Sequence, residues 1–345
     1  MGKASETSQK ANNQRVGAAR IAKGALPLLC LSESDVQQLI DPAALLDALA
    51  AGFRALAEGR VQSPARPEII VPGAGFSLAM PAWTEGMNIS VKTVNVFEGN
   101  LDRGLPNHLA LITLFDAATG LPVCVMDGTY ITGLRTAASA ILSVRALARA
   151  DARIVTLVGG GVQGREHLRL LPLARPFDEI RIASLHREDA EALARLDPRA
   201  QAVDDLEAAI RDADVVCLAT HSYEPVIDAA WLRPGTHVTS VGYAPPRGEL
   251  PRDLLRDVAG GRVRLFVETP DAFRAPPVGC AELAGLSPAC GTTMGDMLLG
   301  QAKGRSSEAD VTLYKAMGIA MEDMVAADLA YRAALARGFG TRITL

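Results

Sequence analysis

Apolar residues recur at helical spacing from Val36 through Leu39, Ile40, Leu45, Leu46, Leu49 and Phe53, interrupted at Pro42 and stopped at Gly59. Ser32 and Asp35 ahead of them make a capping-box-like start. Strand-like pieces follow at 68–71, 76–80, 88–96, 109–115 and 123–126. Gly and Pro separate these pieces, which predicts an antiparallel sheet with hairpins. A strongly apolar helix is expected over 132–148. From Arg153 the texture changes. Apolar, β-branched runs at 154–158, 179–184, 214–219, 237–242 and 264–268 form strands, with helical stretches near 162–171, 187–196 and 205–211 between the earlier ones. That alternation predicts a parallel, doubly wound sheet. One long helix is expected over 312–337, leaving this second unit to pack back on the first.

The most informative stretch joins a strand to a helix. Arg153 to Val158 run into Gly159-Gly160-Gly161-Val162-Gln163-Gly164. The G-x-G-x-x-G glycines at 159, 161 and 164 suit a dinucleotide phosphate. The first permits a tight turn, the second lets backbone approach the pyrophosphate, and the third allows close helix–strand packing. The helix N-terminus then offers unpaired N–H groups to the anion. The bland alternative, a glycine-rich turn packed on a neighbouring helix, does not account for the repeated strand–helix units around it. The expected fold is therefore α/β, a Rossmann-type domain at 150–319 beside an α+β domain with an antiparallel sheet at 28–149 plus about 320–345.

The end of the second strand of that unit bears on cofactor choice. A carboxylate there would bind the ribose 2′-OH of NAD, and a small residue with a cation would accept the 2′-phosphate of NADP. The chain reads Ala183-Ser184-Leu185-His186-Arg187, with no acid until Glu188. Ser184 and Arg187 therefore favour NADP(H) over NAD(H), unless Arg187 only opens a solvated helix.

Composition narrows the classes. With 345 residues, 49% hydrophobic and 21% charged, the chain has room for two cored domains. A net charge of −4 and 4% aromatics give no case for a nucleic-acid or membrane-surface partner. No apolar run approaches the ~20 residues of a membrane span. Cys30, Cys124, Cys217, Cys280 and Cys290 show no metal or C-x-x-C spacing, so no metal site is expected and a reducing, cytoplasmic setting fits. Residues 1–27 are expected to form a basic, solvated tail, with Glu6 spoiling a myristoylation signal at Met1-Gly2.

Three cations stand out in the first domain. Arg66 lies between Pro64 and Pro67, Lys92 sits mid-strand among Val91, Thr93 and Val94, and Arg135 falls in the first turn expected after Thr132. Together they could clamp a carboxylate, Arg through bidentate bonds and Lys as a point charge or proton source. Singly, each also has a structural reading. A lone mid-strand Lys usually faces solvent, and Arg135 could pair with a nearby acid such as Asp127.

Several segments in this order resemble the ornithine cyclodeaminase/mu-crystallin family. They include Met80-Pro81, Val91-Lys92-Thr93-Val94-Asn95, Gly104-Leu105-Pro106-Asn107-His108 and Leu114-Phe115-Asp116-Ala117. Met126-Asp127-Gly128, Ile131 to Ala138, Gly159 to Gly164, Ala219-Thr220, Pro234 to His237, and Thr312 to Lys315 with Gly318, Glu322 and Asp323 continue the match. The resemblance implies nicotinamide-dependent chemistry at the α-carbon of an amino or imino acid, in a homodimer joined through the sheets of the first domains. It implies that Arg66, Lys92 and Arg135 bind the substrate carboxylate. It also implies that Val162, Gln163, Thr220, Val241 and the stretch 316–318, with Gly318, contact the cofactor.

The chain departs from the cyclodeaminases of that family at one position. They carry an Asp two residues after a V-G pair, where this chain has Ala244 after Val241-Gly242. Alanine cannot transfer a proton. Asn107 also replaces a usual small hydroxyl residue. The expectation is a reductase of a ketimine acid such as Δ1-pyrroline-2-carboxylate, or an amino-acid dehydrogenase, with Lys92 assisting protonation. A cyclodeaminase recruiting Glu249 as its acid, and a non-catalytic ligand-binding protein, are the alternatives.

Overall fold

The computed structural model describes residues 26–242, 244 and 247–345. The expected tail over 1–27 lies outside them except at its end. Leu26 and Pro27 already pair with the C-terminal strand, Leu26 N donating to Leu345 O at 3.4 Å.

β1 (Pro27–Leu31) leads into α1 (Glu33–Leu39). The Ser32/Asp35 capping box forms there as expected, Asp35 N donating to Ser32 Oγ at 3.2 Å and Ser32 N to Asp35 Oδ2 at 2.9 Å. Pro42 begins a new helix, α2 (Pro42–Ala57), because a proline costs nothing at the first helical position. Asp41 caps it. The strands β2 (Val61–Gln62), β3 (Glu68–Val71), β4 (Gly75–Thr84), β5 (Ile89–Val96), β6 (His108–Phe115) and β7 (Pro122–Asp127) follow. They form an antiparallel meander from β4 to β7, β1 pairing with β7 in parallel.

Register decides which face each residue takes. Lys92 stands opposite Met80 on β4 and Ile112 on β6, so it shares the inner face with buried apolar residues. The outer face carries Ile69, Leu109 and Leu111 in the open.

α3 (Thr129–Leu147) crosses under that inner face and is buried along most of its length. Gly128 is its N-cap residue and Asp127, just before it, accepts from Tyr130 N at 2.8 Å, so the helix begins one turn before the expected Thr132. Arg135 is consequently in the second turn, where the helix dipole is weaker. Asp127 thus bonds the helix start and is not the partner of Arg135.

The second unit alternates β8 (Ile154–Val158), α4 (Val162–Leu170), β9 (Glu179–Ala183), α5 (Arg187–Ala194), β10 (Ala200–Ala202), α6 (Leu206–Arg211) and β11 (Val215–Leu218). It continues with β12 (His237–Ser240), α7 (Arg252–Ala259), β13 (Val263–Val267), β14 (Gly291–Thr293), α8 (Met294–Leu298) and β15 (Val311–Lys315). Every pairing in this sheet is parallel, in the order β10-β9-β8-β11-β12-β15-β13-β14. The order reverses between β8 and β11, the switch point at which open α/β sheets bind ligands.

The long helix expected over 312–337 is two elements. Val311 to Lys315 form β15, inserted between β12 and β13, and α9 (Ala320–Arg337) starts after Gly318 at φ +74°. A β-branched and aromatic run buried on both faces suits a central parallel strand, and the helical period of its neighbours masked it. α9 packs back on α2, α3, β4 and β5, and β16 (Thr341–Thr344) closes the first sheet beside β1.

Candidate active site

The glycine loop has the geometry its sequence predicts. Gly159 sits at φ +123°, and a Cβ there would lie 2.3 Å from Ala219 O. A Cβ on Gly164 would lie 2.0 Å from Gly159 O, so helix and loop touch through backbone. Gly161 differs, because a Cβ on it would meet nothing within 4 Å. That is open space at the N-terminus of α4, where unpaired N–H groups and the helix dipole suit an anion. Val162 is 70% exposed beside it, an apolar surface for a ligand to cover. Gln163 turns inward, Nε2 donating to Gly133 O at 3.3 Å while Oε1 is buried without a partner among the described residues. These features fit a dinucleotide pyrophosphate.

The cations converge as the sequence suggested, though not as free charges. Lys92 is buried, Nζ 2.7 Å from Asp323 Oδ2 and 3.4 Å from Thr132 Oγ1. Arg135 donates from Nε to Asp323 Oδ1 and from Nη1 to Glu322 Oε2, both at 2.9 Å, which leaves Nη2 outside both pairs. Arg66 donates to Pro277 O at 2.9 Å, Val278 O at 3.0 Å and Gly318 O at 3.2 Å. Gly318 backbone also lies on Arg135, since a Cβ there would be 2.4 Å from Nη1. Gly318 N donates to Glu268 Oε1 at 2.8 Å.

Glu268 was not singled out from the sequence, and Glu322 and Asp323 entered only as part of the family resemblance, without a role in the site. Acids are ordinary in a first helical turn, so nothing local marked Glu322 and Asp323; what sets them apart is that both are fully buried. Glu268 ends a strand with nothing local to mark it.

Burial pulls these groups away from their usual titration ranges. It pushes the Lys92 ammonium down to about 8, the neighbouring Asp323 charge holding it from falling further. Glu322 is pushed up to about 8 by burial and then by the Glu268 charge. Burial likewise raises Glu268, against the Met317 and Gly318 N–H groups and Arg135. Burial works against the Arg135 charge, but Asp323 and Glu322 outweigh it and raise its affinity for the proton. Three cations, Arg66, Lys92 and Arg135, thus meet three carboxylates, of which burial pushes Glu268 and Glu322 toward the protonated form.

The two half-sites are joined through α3. Gly133, two residues before Arg135, accepts from Gln163, and a Cβ on it would be 3.2 Å from Val162 Cγ1. Thr220 follows β11 beside the loop, and Val241 follows β12, its N donating to Leu218 O at 3.1 Å. Ser184 lies against the loop, since a Cβ on Gly160 would be 2.9 Å from its Oγ. Arg187 is exposed and paired with Glu191 (2.7 Å) and with Asp204. Surface pairs of that kind are worth about 0–1 kcal/mol, so Arg187 can exchange them for a phosphate.

Glu249 cannot stand in for the acid missing at Ala244. Its carboxylate already accepts from Thr220 N (3.0 Å), Thr220 Oγ1 (2.7 Å), Ser240 Oγ (2.7 Å) and Gly242 N (2.7 Å). Four donors fill the acceptor capacity of an ionised carboxylate. Ala244 itself is fully buried.

A family model described as the ornithine cyclodeaminase/mu-crystallin family matches residues 28–338. The alanine dehydrogenase of Archaeoglobus fulgidus is 31% identical over 327 residues, covering 91% of this chain and 98% of that protein. The ketimine reductase mu-crystallin of Mus musculus is 30% identical, covering 87% and 96%. Among solved structures, the Δ1-pyrroline-2-carboxylate reductase of Thermococcus litoralis, in complex with NADH and L-proline, matches with a TM-score of 0.83 at 30% identity, covering 91% and 100%.

Proposed function

The chain belongs to the ornithine cyclodeaminase/mu-crystallin family, and from that premise we propose that it reduces a ketimine acid such as Δ1-pyrroline-2-carboxylate, or interconverts an amino acid and its keto acid by the same step. It is a nicotinamide-dependent oxidoreductase acting on CH–NH groups. The observation that carries the substrate reading is the convergence of Arg66, Lys92 and Arg135 with the helix that follows the glycine loop, joined by the Gln163–Gly133 contact. Residues 28–149 with about 320–345 would bind substrate and pair protomers, and 150–319 would bind the dinucleotide.

The glycine loop 159–164 would hold a nicotinamide dinucleotide, which would supply the hydride that the imine carbon accepts. Arg135, through its spare Nη2, and Arg66 would hold the substrate carboxylate. Lys92 directs Nζ protons at Asp323 and Thr132 and has a third for the imine nitrogen. The C=N double bond then becomes a C–N single bond with a new C–H and a new N–H, and the neutral Lys92 left behind must regain a proton before the next turnover. A group titrating near the working pH is suited to that transfer. Holding the imine against the cofactor supplies much of the remaining rate.

Val162, Gln163, Thr220, Val241 and Gly318 would line the dinucleotide. Ser184 and Arg187 favour NADP(H), because the residues directly after β9, Ser184 to Arg187, include no carboxylate to take a ribose 2′-OH. Ile69, Leu109 and Leu111 on the outer face of the first sheet suit a homodimer interface. Free thiols at Cys124, Cys217 and Cys280, buried, suit a reducing cytoplasm.

The test is a cofactor-oxidation screen with NADH and NADPH in parallel, against cyclic ketimines and against pyruvate or glyoxylate with amines. Turnover of at least one of these, faster with NADPH, is expected. Tight NADPH binding with no turnover would leave a non-catalytic binding protein. Ammonia release from ornithine or lysine would restore a cyclodeaminase.

A further inference from the structure

A second buried charge cluster lies at the carboxyl ends of β11, β12 and β15, and the imine chemistry above does not use it. Lys315, the last residue of β15, is fully buried. Its Nζ reaches Glu282 Oε2 at 2.5 Å, Gly242 O at 2.6 Å and Ser240 Oγ at 3.0 Å, which uses all three ammonium protons. The Ser240 hydroxyl, accepting from Lys315, donates onward to Glu249 Oε1 at 2.7 Å. Glu249 collects Gly242 N and both polar groups of Thr220. Glu282 Oε1 accepts from Leu250 N at 2.9 Å, tying down the residue after Glu249.

Every group in this chain is satisfied, a condition under which a buried polar network makes a region rigid. What it immobilises is the backbone at Thr220 and Gly242. The fit there is tight, since a Cβ on Gly242 would lie 2.0 Å from Thr220 O and 2.5 Å from Glu249 Oε2. These two residues flank the crevice on the β11/β12 side of the switch point, opposite the glycine loop on β8. A dinucleotide whose pyrophosphate lies on the glycine loop must carry its other half across to this side.

We propose that Glu249, held through Ser240 by Lys315 and Glu282, is a positioning residue that sets the backbone edge at Thr220 and Gly242 on which the nicotinamide half of the cofactor rests. The inference builds on a dinucleotide-binding reading of the site but not on its imino-acid substrate. Among the described residues Glu249 makes no hydrogen bond to the pyrophosphate loop or to the Arg66–Lys92–Arg135 cluster, and it meets the loop only through the Ala219–Thr220 backbone packed on Gly159, so its main effect is expected on the nicotinamide half.

The experiment compares the affinity of the full dinucleotide with that of its fragment lacking nicotinamide, 2′-phospho-ADP-ribose for NADPH or ADP-ribose for NADH. Binding is read by calorimetry on the intact protein, for Glu249→Gln and for the milder Ser240→Ala. Both variants are expected to weaken the dinucleotide about tenfold while the fragment's Kd stays within about threefold, and Ser240→Thr, which keeps the hydroxyl, is expected to recover most of the loss. Equal weakening of dinucleotide and fragment would show a general structural role and overturn the proposal. Unchanged affinity for both in a folded Ser240→Ala would overturn it as well. An enzyme that turns over no imino acid would defeat the substrate reading and leave the affinity comparison intact.

Discussion

Asp323→Asn isolates the electrostatic role of one carboxylate in proton delivery. Lys92 titrates at about 8 because burial depresses it and Asp323, 2.7 Å from Nζ, partly restores it. The charged form of Lys92 is the acid, so reductive activity is present below its pKa and lost as pH rises through it. An opposite charge at contact distance is worth about 1–3 pKa units, so the variant's Lys92 should titrate at roughly 5–7. With a midpoint near 6, about 1% of Lys92 would be protonated at pH 8 against about half in the parent, a deficit of roughly 50-fold. At pH 5 the two proteins should differ much less. The assay is kcat/KM for imine reduction from pH 5 to 10 at saturating cofactor. The substrate's own titration is common to both proteins, so only the difference between profiles matters. A descending limb in the same place for both would refute the assignment of Lys92 as the proton donor. So would a Lys92→Met variant that keeps the parental limb.

Other substitutions test the remaining parts of the site. Arg135→Ala should lower kcat/KM about 10- to 100-fold for every imino acid reduced, the value of a charge-assisted hydrogen bond. It should also lower stability to chemical denaturation, by up to about 3–5 kcal/mol, because the buried Asp323 carboxylate then keeps only Lys92 as a charged partner. Parental kcat/KM would defeat the carboxylate clamp. Gly161→Ala should keep the parental melting temperature and weaken dinucleotide binding, because its Cβ enters open space on the phosphate path. Gly164→Ala should lower the melting temperature, because its Cβ would meet Gly159 O at 2.0 Å. Equal effects of the two on stability would contradict that division. Arg187→Ala should reduce the NADPH-to-NADH ratio of kcat/KM about tenfold, and an unchanged ratio would remove Arg187 from the cofactor site. Leu111→Arg, on the outer face of the first sheet, should halve the mass measured by sedimentation. A monomeric parent protein would refute the dimer reading.

Some of this molecule was determined locally and could be read along the chain. The Ser32/Asp35 box, the new start at Pro42 and the glycine loop depend on a few neighbouring residues and backbone geometry, which sequence states directly. The alternation from β8 to β11 also showed through, because each element carries its own period. Other features were decided by long-range packing. Val311 to Lys315 form a strand only because β12 and β13 flank them, although the helical spacing around them pointed elsewhere. For Lys92 the chain left both a carboxylate-clamp reading and a solvent-facing one open. Register with Met80 and Ile112 turns it inward, and α9 supplies its carboxylate from 231 positions later in the chain (323 − 92). Arg135 likewise pairs across the fold with Glu322 and Asp323, not with nearby Asp127. Sequence alone therefore named the chemical groups and their order. The tertiary structure chose their partners, because a buried charge must be neutralised or hydrogen-bonded by whatever the fold brings within reach.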